Sequence, residues 1–257
     1  MTASGFMVIA HRGASSYAPE NTFAAFELAI RMGARHIELD VEATNDGHIV
    51  VIHDETVDRT TNGTGPVTGQ SLAALRALDA GSWFGTQFSS ERIPTFEEVL
   101  RRYKGRVHVH TEIKGRSTYL SERTADLVRQ HGMIDQVTIT SFQRVRLEEI
   151  RAYAPELATS WLLPEVSDAV IAQARAIGVR QICPRADTVT AEMVSRLHGE
   201  GFVVRAWGVA TEALMRQVVL AGADGATVNF PDKLLAYLSN SESAANFGMQ
   251  LPPVGRD

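Results

Sequence analysis

The segment HIELDVEATNDGHIVVIHD, residues 36–54, places charged side chains inside what is otherwise an apolar strand. Alternation along a strand puts His36, Glu38 and Asp40 on one face, and the apolar residues between them predict that the strand is buried. Two carboxylates side by side in a buried strand are costly unless their charge is compensated. We therefore expect a bound divalent cation, or basic side chains from neighbouring strands, beside Glu38 and Asp40.

The same segment predicts a β-hairpin. The sequence Asn-Asp-Gly at residues 45–47 lies between two alternating runs, which is a typical turn sequence. Pairing outward from this turn predicts three pairs of cross-strand neighbours: Ala43 with Ile49, Val41 with Val51, and Leu39 with His53. The hairpin would therefore return His53 to the end of the strand that carries the two carboxylates.

Outside the hairpin, the chain alternates short apolar runs with longer amphipathic runs. Strands are predicted at 7–10, 36–41, 107–113, 136–140, 157–162, 179–183, 202–207 and 224–228. Helices are predicted at 21–33, 95–104, 119–131, 143–152, 165–177, 190–199, 211–220 and 231–238, the first of them capped by Asn21 or Thr22. Eight β/α repeats in 257 residues predict an α/β fold, a closed TIM (β/α)8 barrel rather than an open doubly wound sheet.

One segment interrupts this alternation. Residues 41–94 are rich in Gly, Thr and Ser and form a small insertion after the second strand, which we expect to cap the barrel mouth. Its Trp83 and Phe84 either pack the cap or wall a substrate pocket. We expect a single catalytic domain over residues 1–238, followed by a polar tail at 239–257 that is disordered or packs on the surface.

Composition narrows the class of function. Net charge is −5 with both signs scattered, so there is no basic surface for nucleic acid or for an anionic membrane. No apolar run approaches the roughly 18 residues of a membrane span, and the first residues lack the pattern of a signal peptide. Cys183 is the only cysteine, which is typical of a reducing compartment, so we expect a cytoplasmic protein. Assembly into a homo-oligomer stays open.

Charged residues lie at the carboxyl-terminal ends of the first three barrel strands. In TIM barrels the active site is formed at these ends of the strands. His11 and Arg12 end the first strand, Glu38 and Asp40 the second, Glu112 and Lys114 the third, and the hairpin adds His53 and Asp54. Oxygen donors without a thiolate favour Mg²⁺ or Ca²⁺ over zinc. A structural ion-pair site between the acids and the basic residues is the alternative. Histidines 36, 108 and 110 share these strand faces and are expected to be satisfied core residues.

The ordered set resembles the glycerophosphodiester phosphodiesterase family. The resemblance is carried by AHRGASSYAPENTFAAFELAIRMGARHIELDVEATNDGHIVVIHDETVDRTTNGTG at 10–65, IPTFEEVL at 93–100, TEIKG at 111–115 and VTITSF at 137–142, and it extends to about residue 236. It implies a TIM barrel with an insertion after the second strand. It also implies site roles: Glu38, Asp40 and Glu112 as metal ligands, His11 and His53 as the acid/base pair, and Arg12 and Lys114 as phosphate contacts.

The resemblance further implies an activity. A metal-dependent phosphodiesterase of this family hydrolyses glycerophosphodiesters to an alcohol and sn-glycerol 3-phosphate, with the glycerol 2-hydroxyl attacking first to give a cyclic phosphate. Two alternatives stay open: a lysophospholipase D-like hydrolase, which would need an apolar channel, and a glycerophosphodiester-binding protein without turnover.

Two late segments depart from the family pattern, namely WGVA at 207–210 and TVNFP at 227–231. Trp207 is expected either to bind substrate, against the glycerol carbons or a quaternary ammonium, or to plug the barrel mouth. Asn229 stands where the family commonly has an acid. We expect these changes to affect substrate fit more than the chemistry.

Overall fold

The computed structural model of the protein describes residues 5–246, with side chains up to residue 240. Most of the predicted polar tail at 239–257 therefore lies outside the described residues, as do the first four residues. The strands are β1 Met7–Ala10, β2 His36–Ala43, β3 Ile49–Val51, β4 His108–Ile113, β5 Val137–Ser141, β6 Ala158–Leu163, β7 Gln181–Pro184, β8 Val203–Val209 and β9 Gly225–Val228. The helices are α1 Phe23–Arg31, α2 Leu72–Ala77, α3 Phe96–Tyr103, α4 Leu120–Gln130, α5 Arg144–Tyr153, α6 Asp168–Ile177, α7 Ala191–Gly199, α8 Glu212–Leu220 and α9 Pro231–Asn246.

The sheet is a closed barrel. Strands β1, β2 and β4 to β9 pair in parallel in sequence order, and β1 pairs with both β2 and β9, so the ring has no open edge. The antiparallel strand β3 pairs with the carboxyl-terminal end of β2. The predicted TIM barrel with an insertion after the second strand is confirmed.

Helices form where the sequence supplies caps. Five of the helices that follow barrel strands begin at a Ser or Thr whose side chain accepts a backbone N–H: Thr22, Thr95, Ser167, Thr190 and Thr211. Such a cap satisfies one of the free donors at a helix start. In α1 the cap is Thr22, so Asn21, the other residue considered for this position, is free for a different role. The last helix, α9, continues to Asn246, eight residues beyond the predicted end.

The hairpin has the predicted register over its first two pairs. Val41 lies opposite Val51 and Ala43 opposite Ile49. The amide of Ile52 donates to the carbonyl of Asp40 at 3.1 Å in the same register, but the ladder does not extend to the predicted pair of Leu39 and His53. The insertion beyond the hairpin has an apolar cluster of its own, formed by Val50, Ile52, Val57, Val67, Leu75, Ala80 and Ile93. Trp83 and Phe84 pack against each other edge to face within this segment. None of the described helices is long and apolar enough to cross a membrane.

Gly13 follows the two site residues at the end of β1 and allows α1 to pack against them. Its φ is +83°, and a Cβ there would lie 2.6 Å from the backbone carbon of Ala25. Gly47 in the hairpin turn has nearly the same φ, +82°, but open space around the Cβ position.

We therefore expect Gly47→Ala to lower the free energy of unfolding by about 1 kcal/mol, the cost of the left-handed backbone. Gly13→Ala should cost about 3 kcal/mol or more, because a steric clash adds to the backbone cost. Urea denaturation of both variants measures the difference. Equal losses would contradict the packing of α1 against Gly13.

Candidate active site

The carboxyl ends of β2 and β4 bring three carboxylates together. Asp40 lies beside Glu112 in the parallel register of these strands, and Glu38 is two residues earlier on β2. Each of the three offers an oxygen within 4.8 Å of the others. All three side chains are buried, with Asp40 fully excluded from solvent. The neighbouring strands thus concentrate negative charge at one point of the rim.

Burial and mutual repulsion act on these carboxylates. Burial, then the charges of Asp40 and Glu112, raise the pKa of Glu38 well above its usual value. Burial and Asp40 raise the pKa of Glu112 to about 7, although Lys114 opposes the shift. The Oδ1 atom of Asp40 is buried without a hydrogen-bond partner. Three buried carboxylates with an unpartnered oxygen are a donor set that fits a hard divalent cation.

The two basic residues expected at the site are already paired with these acids. Arg12 donates its backbone N–H to Glu38 at 2.9 Å, and its Nε lies 3.2 Å from Asp40 Oδ2. Lys114 Nζ lies 3.1 Å from Glu112 Oε1. The structure therefore contains the ion pairs considered from the sequence, and the same cations line the adjoining pocket.

The two candidate acid/base histidines each engage one ring nitrogen. His53 Nδ1 lies 2.5 Å from Asp54 Oδ1, and His11 Nδ1 lies 2.6 Å from Asn229 Oδ1. A carboxylate or amide oxygen can only accept, so Nδ1 is the donor in both contacts, and the neutral form of either ring has its lone pair on Nε2. Burial, and then the charge of Arg12, lower the pKa of His11 to about 4.

The position of Asn229 corrects an expectation. The replacement of an acid by Asn229 was expected to affect substrate fit more than chemistry. Its side chain instead accepts the hydrogen bond that orients His11, which makes it part of the environment of a candidate acid/base group. Sequence reasoning missed this because 218 residues separate the partners.

One pocket of about 240 Å³ joins most of these groups. It is lined by His11, Arg12, Glu38, His53, Glu112, Lys114 and Trp207 among the predicted residues, and by Thr140, Phe142, Leu162, Arg205, Gly208 and Thr227 in addition. Trp207 donates its indole N–H to the carbonyl of Leu163 at 3.0 Å and meets Phe142 edge to face at 4.8 Å. The ring is thus fixed at the rim. Phe142 and Leu162 lie at or just past the ends of β5 and β6, a position that the rim rule could have singled out.

The structure also gives the positions of Asn21 and of the histidines that were expected in the core. Asn21 has left-handed backbone (φ 58°) and donates its side-chain amide to Asp40 Oδ2 at 2.9 Å, a contact that the sequence did not indicate. The histidines at 36, 108 and 110 lie away from this pocket, but the expectation of satisfied core residues is only partly met. His36 and His108 are half-buried, and the buried His110 has a ring nitrogen, Nδ1, without a hydrogen-bond partner. His36 Nδ1 lies 3.2 Å from His110 Nε2, and His108 Nε2 lies 2.8 Å from Thr138.

Comparison with known proteins agrees with this geometry. The model of the glycerophosphoryl diester phosphodiesterase family matches residues 11–233. A putative glycerophosphodiester phosphodiesterase of Bacillus subtilis is 36% identical over 234 residues, covering 89% of this chain and 96% of the relative. A glycerophosphodiester phosphodiesterase of Caldanaerobacter subterraneus is 37% identical over 233 residues, with 89% and 96% covered.

Solved structures lead to the same family. An Oleispira antarctica phosphodiesterase in complex with the product sn-glycerol-3-phosphate is 29% identical with a TM-score of 0.84, covering 90% of this chain and 96% of that chain. A glycerophosphodiester phosphodiesterase from Agrobacterium tumefaciens is 32% identical with a TM-score of 0.81, and the shares covered are 89% and 98%. This chain belongs to the glycerophosphoryl diester phosphodiesterase family and is an enzyme of the phosphoric diester hydrolase class.

Proposed function

We propose that this chain hydrolyses glycerophosphodiesters to an alcohol and sn-glycerol 3-phosphate with the help of one divalent cation, Mg²⁺ or Ca²⁺. The observation that carries the proposal is the single rim pocket in which two imidazoles and two basic side chains adjoin a cluster of three carboxylates. The product bound to the Oleispira antarctica relative supports the choice of substrate.

Glu38, Asp40 and Glu112 would hold the cation. When bound, it withdraws negative charge from the phosphoryl oxygens and so lowers the repulsion that a phosphodiester anion presents to a nucleophile. Arg12 and Lys114 line the same pocket and supply N–H donors for the remaining phosphoryl oxygens. These donors are held by the carboxylates before substrate arrives, which favours stabilisation of the charge that develops during transfer.

His11 and His53 would move the protons. One imidazole, neutral at the start, removes the proton of the attacking glycerol 2-hydroxyl with Nε2. The other starts as the imidazolium and donates its Nε2 proton to the leaving alkoxide, which gives a cyclic phosphate. Water then opens the cyclic phosphate with the two roles reversed. In both rings Nδ1 is engaged by a fixed acceptor, so Nε2 is the atom available to substrate.

The proposal includes the setting of the enzyme. Residues 1–238 would form one catalytic domain, with 41–94 as a cap that belongs to it because β3 pairs with β2 and carries His53 to the pocket. The partner is a small molecule, with no nucleic acid and no stable membrane association. We propose a cytoplasmic location on the ground of the single cysteine, Cys183, which is buried.

A direct test is turnover of glycerophosphocholine, glycerophosphoethanolamine and a lysophospholipid, with and without added metal. Release of sn-glycerol 3-phosphate from the first two supports the proposal. Release of lysophosphatidic acid from the third, without turnover of the others, would support the lysophospholipase D-like alternative. Saturable binding of all three without any product would indicate a binding protein.

The first site prediction is a requirement for metal at the carboxylate cluster. Glu112→Gln should abolish turnover and also the rise in melting temperature that Mg²⁺ or Ca²⁺ gives the wild type, because a ligand that binds only the folded state stabilises it. Glu42→Gln is the matched control, since Glu42 is buried on β2, the strand of Glu38 and Asp40, and burial raises its pKa to about 7 as it does that of Glu112, but Glu42 lies outside the cluster. Full turnover in excess EDTA after dialysis would refute the requirement.

The second site prediction is that the two histidines act as one unit. His11→Ala and His53→Ala should each lose most of kcat, and the double variant should lose little more, because groups that share one proton-transfer sequence are strongly non-additive. The exposed His48 in the hairpin turn provides the control, and His48→Ala should keep wild-type turnover. If the loss of kcat in the double variant equals the product of the two single losses, the histidines act independently and the prediction is wrong.

The third site prediction concerns the alcohol. If the face of Trp207 approaches a quaternary ammonium, Trp207→Leu should lower kcat/KM for the choline diester roughly 30-fold more than for the glycerol diester, whose alcohol carries no charge. A desolvated cation–π contact is worth about 2 kcal/mol. Equal losses for both substrates would show that Trp207 plugs the barrel mouth. Asn229→Asp is unsuited to this comparison, because that side chain contacts His11.

A further inference from the structure

We propose that Arg59, in the insertion, is a positioning residue that holds His53 and Arg12 in their working orientations through the carboxylates of Asp54 and Glu20. This inference rests on the proposed function, in which His53 transfers a proton and Arg12 contacts phosphate. It assigns a role to three residues, Glu20, Asp54 and Arg59, that lie outside the set of ligands, bases and phosphate contacts described above.

The guanidinium of Arg59 binds two carboxylates at once. Towards Asp54, Nε donates to Oδ2 at 2.6 Å and Nη2 to Oδ1 at 3.0 Å. Towards Glu20, Nη1 donates to Oε2 at 2.9 Å and Nη2 to Oε1 at 2.8 Å. Two parallel N–H···O contacts fix the planes of both groups, a geometry that a lysine cannot supply.

Each of these two carboxylates also accepts a hydrogen bond from a residue of the candidate site. Asp54 Oδ1, which Arg59 contacts, also accepts from Nδ1 of His53 at 2.5 Å. Glu20 Oε1 likewise accepts from Nη1 of Arg12 at 2.7 Å. Because Arg12 in turn contacts Asp40, one unbroken series of charged contacts runs from the imidazole to the carboxylate cluster.

These contacts favour the ionised form of both carboxylates in the series. Burial opposes ionisation of Glu20, but the bonds from Arg59 and Arg12 overcome it and lower the pKa of Glu20 to about 2. The bond from Arg59, opposed by partial burial and assisted by His53, lowers the pKa of Asp54 as well. An ionised Asp54 can only accept, so it fixes the proton of His53 on Nδ1 and leaves the lone pair on Nε2.

The location of Arg59 separates this role from support of the fold. Its side chain is 45% exposed, and an ion pair of an exposed guanidinium contributes less to stability than a fully buried one, although its partner Glu20 is largely buried. Melting curves of the variants therefore accompany the kinetic test. Glu20 lies just before α1, whereas Asp54 and Arg59 follow β3, so the guanidinium joins the insertion to the β1–α1 loop. The insertion thereby brings both the proton-transferring ring and the group that orients it.

Arg59→Met tests the proposal, with Arg106→Met as the matched control. Arg106 is 42% exposed and binds the carboxylate of Glu27 through two nitrogens. It precedes β4, at the end of that strand opposite to Glu112 and the rim. We expect Arg59→Met to lower kcat by roughly 10- to 100-fold, the effect of small misplacement of a reacting group. Arg59→Lys should recover only part of this loss, and Arg106→Met should stay within about twofold of wild type.

A double-mutant comparison identifies the route of the effect. In a His53→Ala background, Arg59→Met should cost clearly less in kcat than it does in the wild type, because one of the two groups that it positions is gone. The loss that remains is the part transmitted through Glu20 to Arg12. Wild-type kcat in Arg59→Met, or the full loss persisting without His53, would overturn the proposal. Circular dichroism and melting curves establish that each variant is folded, and Arg59→Lys carries the test if Arg59→Met is not.

Ring ¹⁵N resonances of His53, assigned by their loss in His53→Ala, give a readout that needs no substrate. The wild type should show one neutral tautomer, protonated on Nδ1, and Arg59→Met should show a mixture. An unchanged single tautomer in Arg59→Met would contradict the positioning role. A wild type that turns over no diester would instead contradict the proposed function, while the ring resonances still decide the inference.

Discussion

The repulsion among three buried carboxylates is the constraint on which the site depends. Glu38, Asp40 and Glu112 share one point at the barrel rim, where solvent screens them little. Hydrogen bonds from both backbone and side-chain donors offset the repulsion among the carboxylates. Arg12 and Asn21, the two non-glycine residues with positive φ within residues 5–246, both donate to the cluster, one through its backbone amide and one through its side chain. Left-handed backbone at these residues is costly, and its concentration beside the carboxylates indicates a functional constraint.

The sequence predicted those parts of the site that depend on local order. Alternation placed Glu38 and Asp40 on one face, the turn at 45–47 set the hairpin register, and the strand-end rule placed Lys114 at the rim. The barrel followed from the count of repeats. Each of these inferences needs only neighbours along the chain or the general geometry of parallel strands.

Contacts between distant segments could not be predicted in this way. From the sequence, Asn21 was considered only as a helix cap. The identity of a residue does not show that its backbone is left-handed, and it is this conformation that directs the Asn21 side chain to Asp40. The contact of Asn229 with His11 requires β1 and β9 to pair, with the amide of His11 donating to Val228. Even with the fold known, the pattern of residues near 229 does not report which ring its amide oxygen meets.

The pairing of β1 with β9 has a consequence for the order of assembly. Contacts across a long sequence separation tend to form late in folding, because closing a long loop costs conformational entropy before the contact is made. His53 and the carboxylates of β2 depend on a hairpin that is complete early in synthesis, whereas His11 obtains its oxygen partner only after the last strand has been made. Of the two imidazoles proposed to transfer protons, one is therefore held by its neighbour in sequence and the other by a contact that requires β1 to pair with β9. The hydrogen bond that orients His11 thus depends on closure of the ring, whereas the one that orients His53 does not.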